Sequence, residues 1–259
     1  MLIRDLLVLL MRRYSSMGKL AIDYAYGYKT GLAKHFAGAH IVTVMRYIGD
    51  SSNSKCLAKT EAHELRTEGI GVGFVYEAGA NWMLTGKSAG IAAAQKARNH
   101  IRSIGGPNDP FVYFAADWDV QTGQEGAVLN CLRGAATVLG ADKIGIYGGI
   151  RIVDAAMSSR VAVKAWQATA WSGGKWSSHA TLRQFYGANR YGALGLDYDA
   201  NEQLSDDVGQ WGYVMPKPKP KPTPTAPEHT VKLEMPISVY NHLAEWVVSW
   251  PKRKGWVVK

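Results

Sequence analysis

FVYFAADWDV, residues Phe111 to Val120, has the composition of a central strand in an α/β protein. It follows a Gly105-Gly106-Pro107 turn and runs through β-branched, aromatic and small apolar residues, as a strand buried on both faces does. It then ends in two carboxylates, Asp117 and Asp119. Side chains alternate along a strand, so the spacing of two predicts both acids on one face and Trp118 on the other. Two like charges at one strand end oppose joint ionisation, and a carboxyl whose pKa is raised this way can serve as a proton donor at neutral pH.

On either side of this stretch, short apolar runs alternate with helical segments. KLAIDYA (Lys19 to Ala25) places Ala21 and Asp23 on one face, with Leu20 and Ile22 on the other. A Gly-rich loop leads to IVTVMRY (Ile41 to Tyr47), and a helical segment (Lys55 to Glu68) leads to IGVGFVYE (Ile70 to Glu77). Gly86 to Ile104 is Ala-rich and free of Pro, which predicts a long helix. Beyond the focal strand come a helix over Gln124 to Leu139, a strand in KIGIYGG (Lys143 to Gly149) and a short helix over Ile150 to Ser158. VAVKAWQ (Val161 to Gln167), TLRQFY (Thr181 to Tyr186) and ALGLDYD (Ala193 to Asp199) complete eight strands. The WSGGKWSSH stretch before the seventh has no helical pattern.

Eight strands with intervening helices over about 180 residues predict an α/β protein: a TIM-like, closed parallel β/α barrel with reduced helices around its last strands. No Gly-rich phosphate loop follows the first strand, which argues against an open dinucleotide-binding sheet. In a barrel the working residues sit at the carboxyl ends of the strands. Asp23, Arg46, Glu77, Asp117, Asp119, Gln167, Gln184, Asp197 and Asp199 all fall there, so an acidic pocket is expected at the barrel mouth.

Residues 19–215 form the expected barrel, preceded by an extension over residues 1–18. Its LLVLLM run is too short for a signal-peptide core or a membrane span. A Pro/Lys-rich linker follows over residues 216–228. Alternating Pro and Lys favours polyproline II, making a semi-rigid spacer of about 35–40 Å at roughly 3.1 Å per residue. Residues 229–259 form a small, basic, aromatic segment. The formal charge of +9 is uneven: residues 216–259 carry +5 and residues 1–18 carry +2, leaving +2 for the body. A basic tail on a near-neutral body points to an anionic surface as partner, with no nucleic-acid groove.

Clustered carboxylates with nearby aromatics and amides suit hydrolysis of a glycosidic bond. One acid protonates the leaving oxygen, while an ionised one stabilises the cationic centre, attacks it or activates water. Trp82, Trp118, Tyr147, Trp166, Trp171, Trp176 and Tyr186 lie at or just beyond strand ends, where flat faces could meet sugar rings. Asp-x-Asp also occurs in metal-dependent nucleotide-sugar transferases, but a nucleotide cradle is missing. His35, His40, His63, His100 and His179 share no ligand spacing, and Cys56 with Cys131 gives neither a zinc site nor a disulfide framework. No metal and no cofactor is expected.

AIDYAYG, RYIG, YFAADWD, KAWQA, RQFYG and LGLDYDAN occur in an order that resembles the glycoside-hydrolase-like domain of unknown function 1906. That domain is itself similar to the lysozymes of glycoside hydrolase family 25. The resemblance implies cleavage of the peptidoglycan glycan strand at the bacterial cell wall, in the manner of a muramidase or an actinobacterial or phage endolysin. It also implies that Asp23 lines the pocket, that Asp117 positions the substrate's acetamido group or stabilises positive charge, that Asp119 holds the general-acid position and that Asp197 is the last pocket acid. Asp119 stands where the muramidases have Glu, and its carboxylate reaches about 1.5 Å less. Arg46, Glu77, Trp82, Trp118, Tyr147, Trp166, Gln167, Gln184 and Asp199 are the expected substrate contacts. With no clear signal peptide, export by phage lysis machinery or another route is implied. A glycan-binding wall protein without activity and a phage structural component are the alternative readings.

Overall fold

The computed structural model describes residues 19–191 and 196–212 of the 259-residue chain, with side chains over 19–185 and 197–212. The chain divides after Met215, and the second unit, Pro216–Lys259, holds none of the described residues. The expected extension (residues 1–18), linker and tail therefore lie outside the described residues.

Eight strands close into a barrel in sequence order: β1 (Lys19–Asp23), β2 (Thr43–Ile48), β3 (Gly71–Tyr76), β4 (Val112–Ala115), β5 (Ile144–Gly148), β6 (Lys164–Ala168), β7 (Ala180–Tyr191) and β8 (Leu196–Gln203). Five α-helices connect them: α1 (Leu32–Gly38), α2 (Lys59–Thr67), α3 (Lys87–Ser103), α4 (Glu125–Leu139) and α5 (Ile150–Ser158). The Gly-rich loop expected between the first two strands thus contains α1, which buries Leu32, Ala33 and Phe36. Between β6 and β7 no helix forms. Instead the loop is fastened by Gln167, whose amide nitrogen donates to Ser172 Oγ (3.0 Å) and the Lys175 carbonyl (2.9 Å), and whose Oε1 accepts from the Ser177 N–H (2.7 Å).

The barrel is not all parallel. Strands β1 to β7 run parallel to their neighbours, but β8 is antiparallel to both β7 and β1. The cause is length: only residues 192–195 separate β7 from β8, whereas a parallel crossover needs about a dozen. The reversal carries the amino end of β8 to the mouth. Asp199 therefore sits in register with Asp23, and Gln203 with Lys19.

Two apolar layers result from strand alternation. Outward residues such as Ile22, Val44, Phe74, Phe114 and Ile146 pack under the helices. Inward residues Ala21, Met45, Val75, Tyr113, Ala115, Tyr147, Trp166 and Leu182 fill the barrel. Gly73 and Gly145 make room for them, since a Cβ there would lie 2.1 Å from Met45 Sδ and 2.5 Å from the Tyr113 ring. Val208 closes the amino end of the barrel, its carbonyl accepting from the Tyr113 hydroxyl at 2.9 Å. Among the described residues, no helix is long and apolar enough to cross a membrane.

Helices α3 and α4 approach at two glycines. A Cβ on Gly90 would lie 1.8 Å from the Cys131 carbonyl oxygen, and one on Gly134 would lie 2.1 Å from that of Lys87. Backbone cannot yield as a side-chain tip does, so Gly90→Ala should destabilise the protein by about 3 kcal/mol despite the better helix propensity of Ala. A urea midpoint equal to or above that of the parent would refute this close contact.

Candidate active site

Parity along each strand determines which acids reach the mouth. On β1, Asp23 follows Ala21 on the inward face and is 4% exposed. Its Oδ2 accepts from Gln184 Nε2 at 2.8 Å and from Asn201 Nδ2 at 2.7 Å. Burial pushes this carboxyl up to about 7 against the pull of those two hydrogen bonds, and the nearby Asp199 charge adds to the rise. Above it stand Asp117, just past β4, and Asp199 on β8. Asp117 is raised by partial desolvation and then by the Glu77 charge, with a smaller contribution from Asp199, while Lys55 and the nearby Tyr147 hydroxyl oppose the rise. Asp199 is raised by desolvation.

Glu77 follows β3 and pairs with Lys55 Nζ at 3.1 Å. The same ammonium lies 3.7 Å from the centroid of the Tyr47 ring. Tyr47 and Tyr147 are both pushed upward, chiefly by burial and then by the surrounding carboxylates. Tyr147 donates to Gln184 Oε1 at 2.7 Å, and Trp166 Nε1 donates to Asn201 Oδ1 at 2.7 Å. Carboxyl groups from the first, third, fourth and eighth strands therefore share one mouth, over a floor of aromatic and amide groups.

Several sequence expectations change here. Strand β4 ends at Ala115, so the alternation that would aim Asp117 and Asp119 together stops before either of them. The carboxylates that raise Asp117 are Glu77 and, more weakly, Asp199, and Asp119 is not among them. Asp119 is exposed, and among the described residues its carboxylate makes no hydrogen bond or ion pair. Asp199, two residues deeper on the same face of β8, takes the place expected for Asp197, which pairs in register with Arg190.

Arg46, expected at the mouth, is turned away from it. It points outward from β2, is fully buried, and grips Glu61 through Nε and Nη2 while donating to the Tyr24 and Tyr26 carbonyls. Gln167 is likewise outward and buried, its amide consumed by the loop it fastens. Trp166 faces inward but is 2% exposed, edge-on to Tyr147 at 4.6 Å between centroids, so it is floor and not a sugar platform. Trp82 donates to the Ala115 carbonyl at 2.9 Å and packs on Tyr76 and Phe114. Trp118 donates to Gln124 Oε1 at 3.2 Å against the outer core. Both are packing residues. Glu77, Tyr147, Gln184 and Asp199 lie at the mouth.

Three groups were not on the expected roster: Asn201, Tyr47 and Lys55. Strand parity reveals Tyr47 from Met45 and Asn201 from Asp199. Lys55 lies in a loop whose path no local pattern encodes.

The model of the Rv2525c-like, glycoside hydrolase-like domain matches residues 34–203. Rv2525c of Mycobacterium tuberculosis, provisionally named a peptidoglycan hydrolase, is 28% identical over 210 residues, covering 76% of this chain and 85% of that protein. A crystal structure of Rv2525c, described as Tat-secreted and in complex with L-tartrate, aligns with a TM-score of 0.68 at 25% identity, over 75% of this chain and 99% of that one. Two further structures share the fold alone. An uncharacterized B. stearothermophilus protein gives a TM-score of 0.56 at 19% identity, over 75% of this chain and 100% of that one. A family 25 glycosyl hydrolase from Bacillus anthracis gives 0.50 at 10% identity, over 74% and 91%.

Proposed function

The chain belongs to the Rv2525c-like, glycoside hydrolase-like domain family, and from that premise we propose that it hydrolyses the glycan strand of peptidoglycan by carboxylate acid–base chemistry. The observation that carries this reading is the convergence of Asp23, Glu77, Asp117 and Asp199 on one mouth, with three of the four pushed toward protonation. A glycosidase needs one carboxyl that keeps its proton and another that stays anionic. Asp117 is exposed, so it can touch substrate, and Glu77 beside it favours its protonated form. It is the proposed donor to the leaving oxygen. Asp199 and Glu77 supply negative charge for the cationic transition state, and Asp23 holds a titrating proton on the floor.

A muramidase-type cleavage follows from the similarity to Rv2525c and from the resemblance to family 25 in the order of motifs. The +5 carried by residues 216–259 supports retention on anionic wall polymer.

Release of reducing ends from purified peptidoglycan tests the assignment. Asp117→Asn should lose at least about a hundredfold in rate, as removal of a general acid does. Asp119→Asn should stay within about tenfold of the parent, because its carboxylate stands apart from the cluster. The opposite order would return the donor role to Asp119. Equal rates for all three would sink acid–base catalysis at this mouth. A parent protein that sediments with peptidoglycan yet releases no ends would leave a glycan-binding role.

A further inference from the structure

Each amide that contacts Asp23 is held at its far end by an aromatic donor. Asn201 gives one N–H to Asp23 Oδ2 and also reaches the Asp199 carbonyl at 3.1 Å, while its Oδ1 receives the Trp166 indole N–H. An indole nitrogen can only donate. Asn201 therefore cannot turn over without setting its NH2 against another donor. Gln184 is oriented by a looser version of this contact: its Oε1 receives the Tyr147 hydroxyl at 2.7 Å and its Nε2 meets Asp23 Oδ2 at 2.8 Å, but a hydroxyl can also accept, so the indole fixes its amide more strictly than the phenol does. Among the described residues, Asp23 Oδ1 accepts no hydrogen bond.

We infer that Trp166 and Tyr147 are positioning residues of the acid–base site: by orienting Asn201 and Gln184 they keep Asp23 Oδ2 an acceptor and confine the Asp23 proton to Oδ1. A proton on Oδ2 would face two N–H donors, an arrangement with no acceptor for it. The remaining charged and titratable groups around Asp23 are Asp199 on β8, Arg46 and Tyr47 on β2, and Tyr147 on β5. Asp117, beyond β4, is coupled to this group electrostatically, because its charge and that of Asp23 both act on the Tyr147 hydroxyl. The Tyr147 hydroxyl thus stands between the floor acid and the rim acid. This inference rests on the mouth being an acid–base site, but its test uses no substrate.

The test is a 13C titration of the aspartate carboxyl carbons in the full chain, with the Asp23 resonance identified by its absence from Asp23→Asn. Tyr147→Phe frees the Gln184 amide and weakens a hydrogen bond to the ionised form. The Asp23 midpoint should rise by about one pH unit. Trp166→Phe should raise it similarly through Asn201, and provides a second reading if either variant folds poorly. Tyr113→Phe is the control, because it removes a hydroxyl from the same aromatic stack that bonds the Val208 carbonyl and Thr181 but neither amide of the Asp23 site. An unmoved midpoint in Tyr147→Phe, or an equal shift in Tyr113→Phe, overturns the inference. A shift restricted to Tyr147→Phe and Trp166→Phe supports it, even in a protein that releases no reducing ends.

Discussion

Asp23→Asn is expected to lose at least about a hundredfold in glycan cleavage and yet to yield a more stable protein above neutral pH. Asp23 has its carboxyl raised to about 7 in the fold from an ordinary 3.8. Between those values the folded chain holds a proton that the unfolded chain has released, so stability falls as pH rises through the window and levels off above it. The burden of the buried charge amounts to something on the order of 4 kcal/mol when fully developed. Asparagine is neutral throughout and its carbonyl oxygen can still accept from Gln184 and Asn201. The stability gap between Asp23→Asn and the parent should therefore be near zero at about pH 4, open toward about pH 7, and stay constant beyond. Urea unfolding across that range reads it directly, and a gap independent of pH would mean that Asp23 is not the group that titrates.

Glu61→Gln should have the largest effect on stability outside the mouth. Arg46 and Glu61 are both 0% exposed, sealed between the outward face of β2 and α2. Neutralising Glu61 leaves a guanidinium buried with carbonyl oxygens and the Tyr24 ring but no counter-charge. Breaking such a pair from one side costs about 3–5 kcal/mol, which in a barrel of this size lowers the melting temperature by about 10 °C. Replacing both partners by Met should recover most of that loss, because the penalty lies in the orphaned charge and not in the missing attraction. Thermal unfolding of the single and double variants distinguishes the two. A double variant as unstable as Glu61→Gln would count against this account.

Local sequence determines most of the barrel's inner and outer faces. Ala21 and Asp23 share an inward face because extended chain alternates, and the same count places Tyr47, Tyr147 and Asn201 inside. Position along a strand is a weaker guide than parity. Arg46 and Gln167 lie toward the carboxyl ends of their strands, but each is one step out of phase with inward neighbours: Arg46 lies between Met45 and Tyr47, Gln167 between Trp166 and Ala168. Parity alone would have assigned both to the outer layer. The antiparallel β8 was also legible, since the six residues between Tyr186 and Ala193 are too few for a helical crossover. By contrast, the Lys55–Glu77 pair and the separation of Asp119 from Asp117 depend on loop paths, which the surrounding fold sets.

Because the last strand runs opposite to the other seven, Lys19 and Gln203 lie side by side, and the chain leaves through Trp211, which pairs with Val72 at the start of β3. Entry and exit thus share the pole opposite the acids. A protein tethered to a bead or fused to a carrier ahead of Lys19 or after Gly212 is held by its base, with the cleft directed away from the support. Such attachment puts the support on the side of the barrel opposite Asp23 and Asp199.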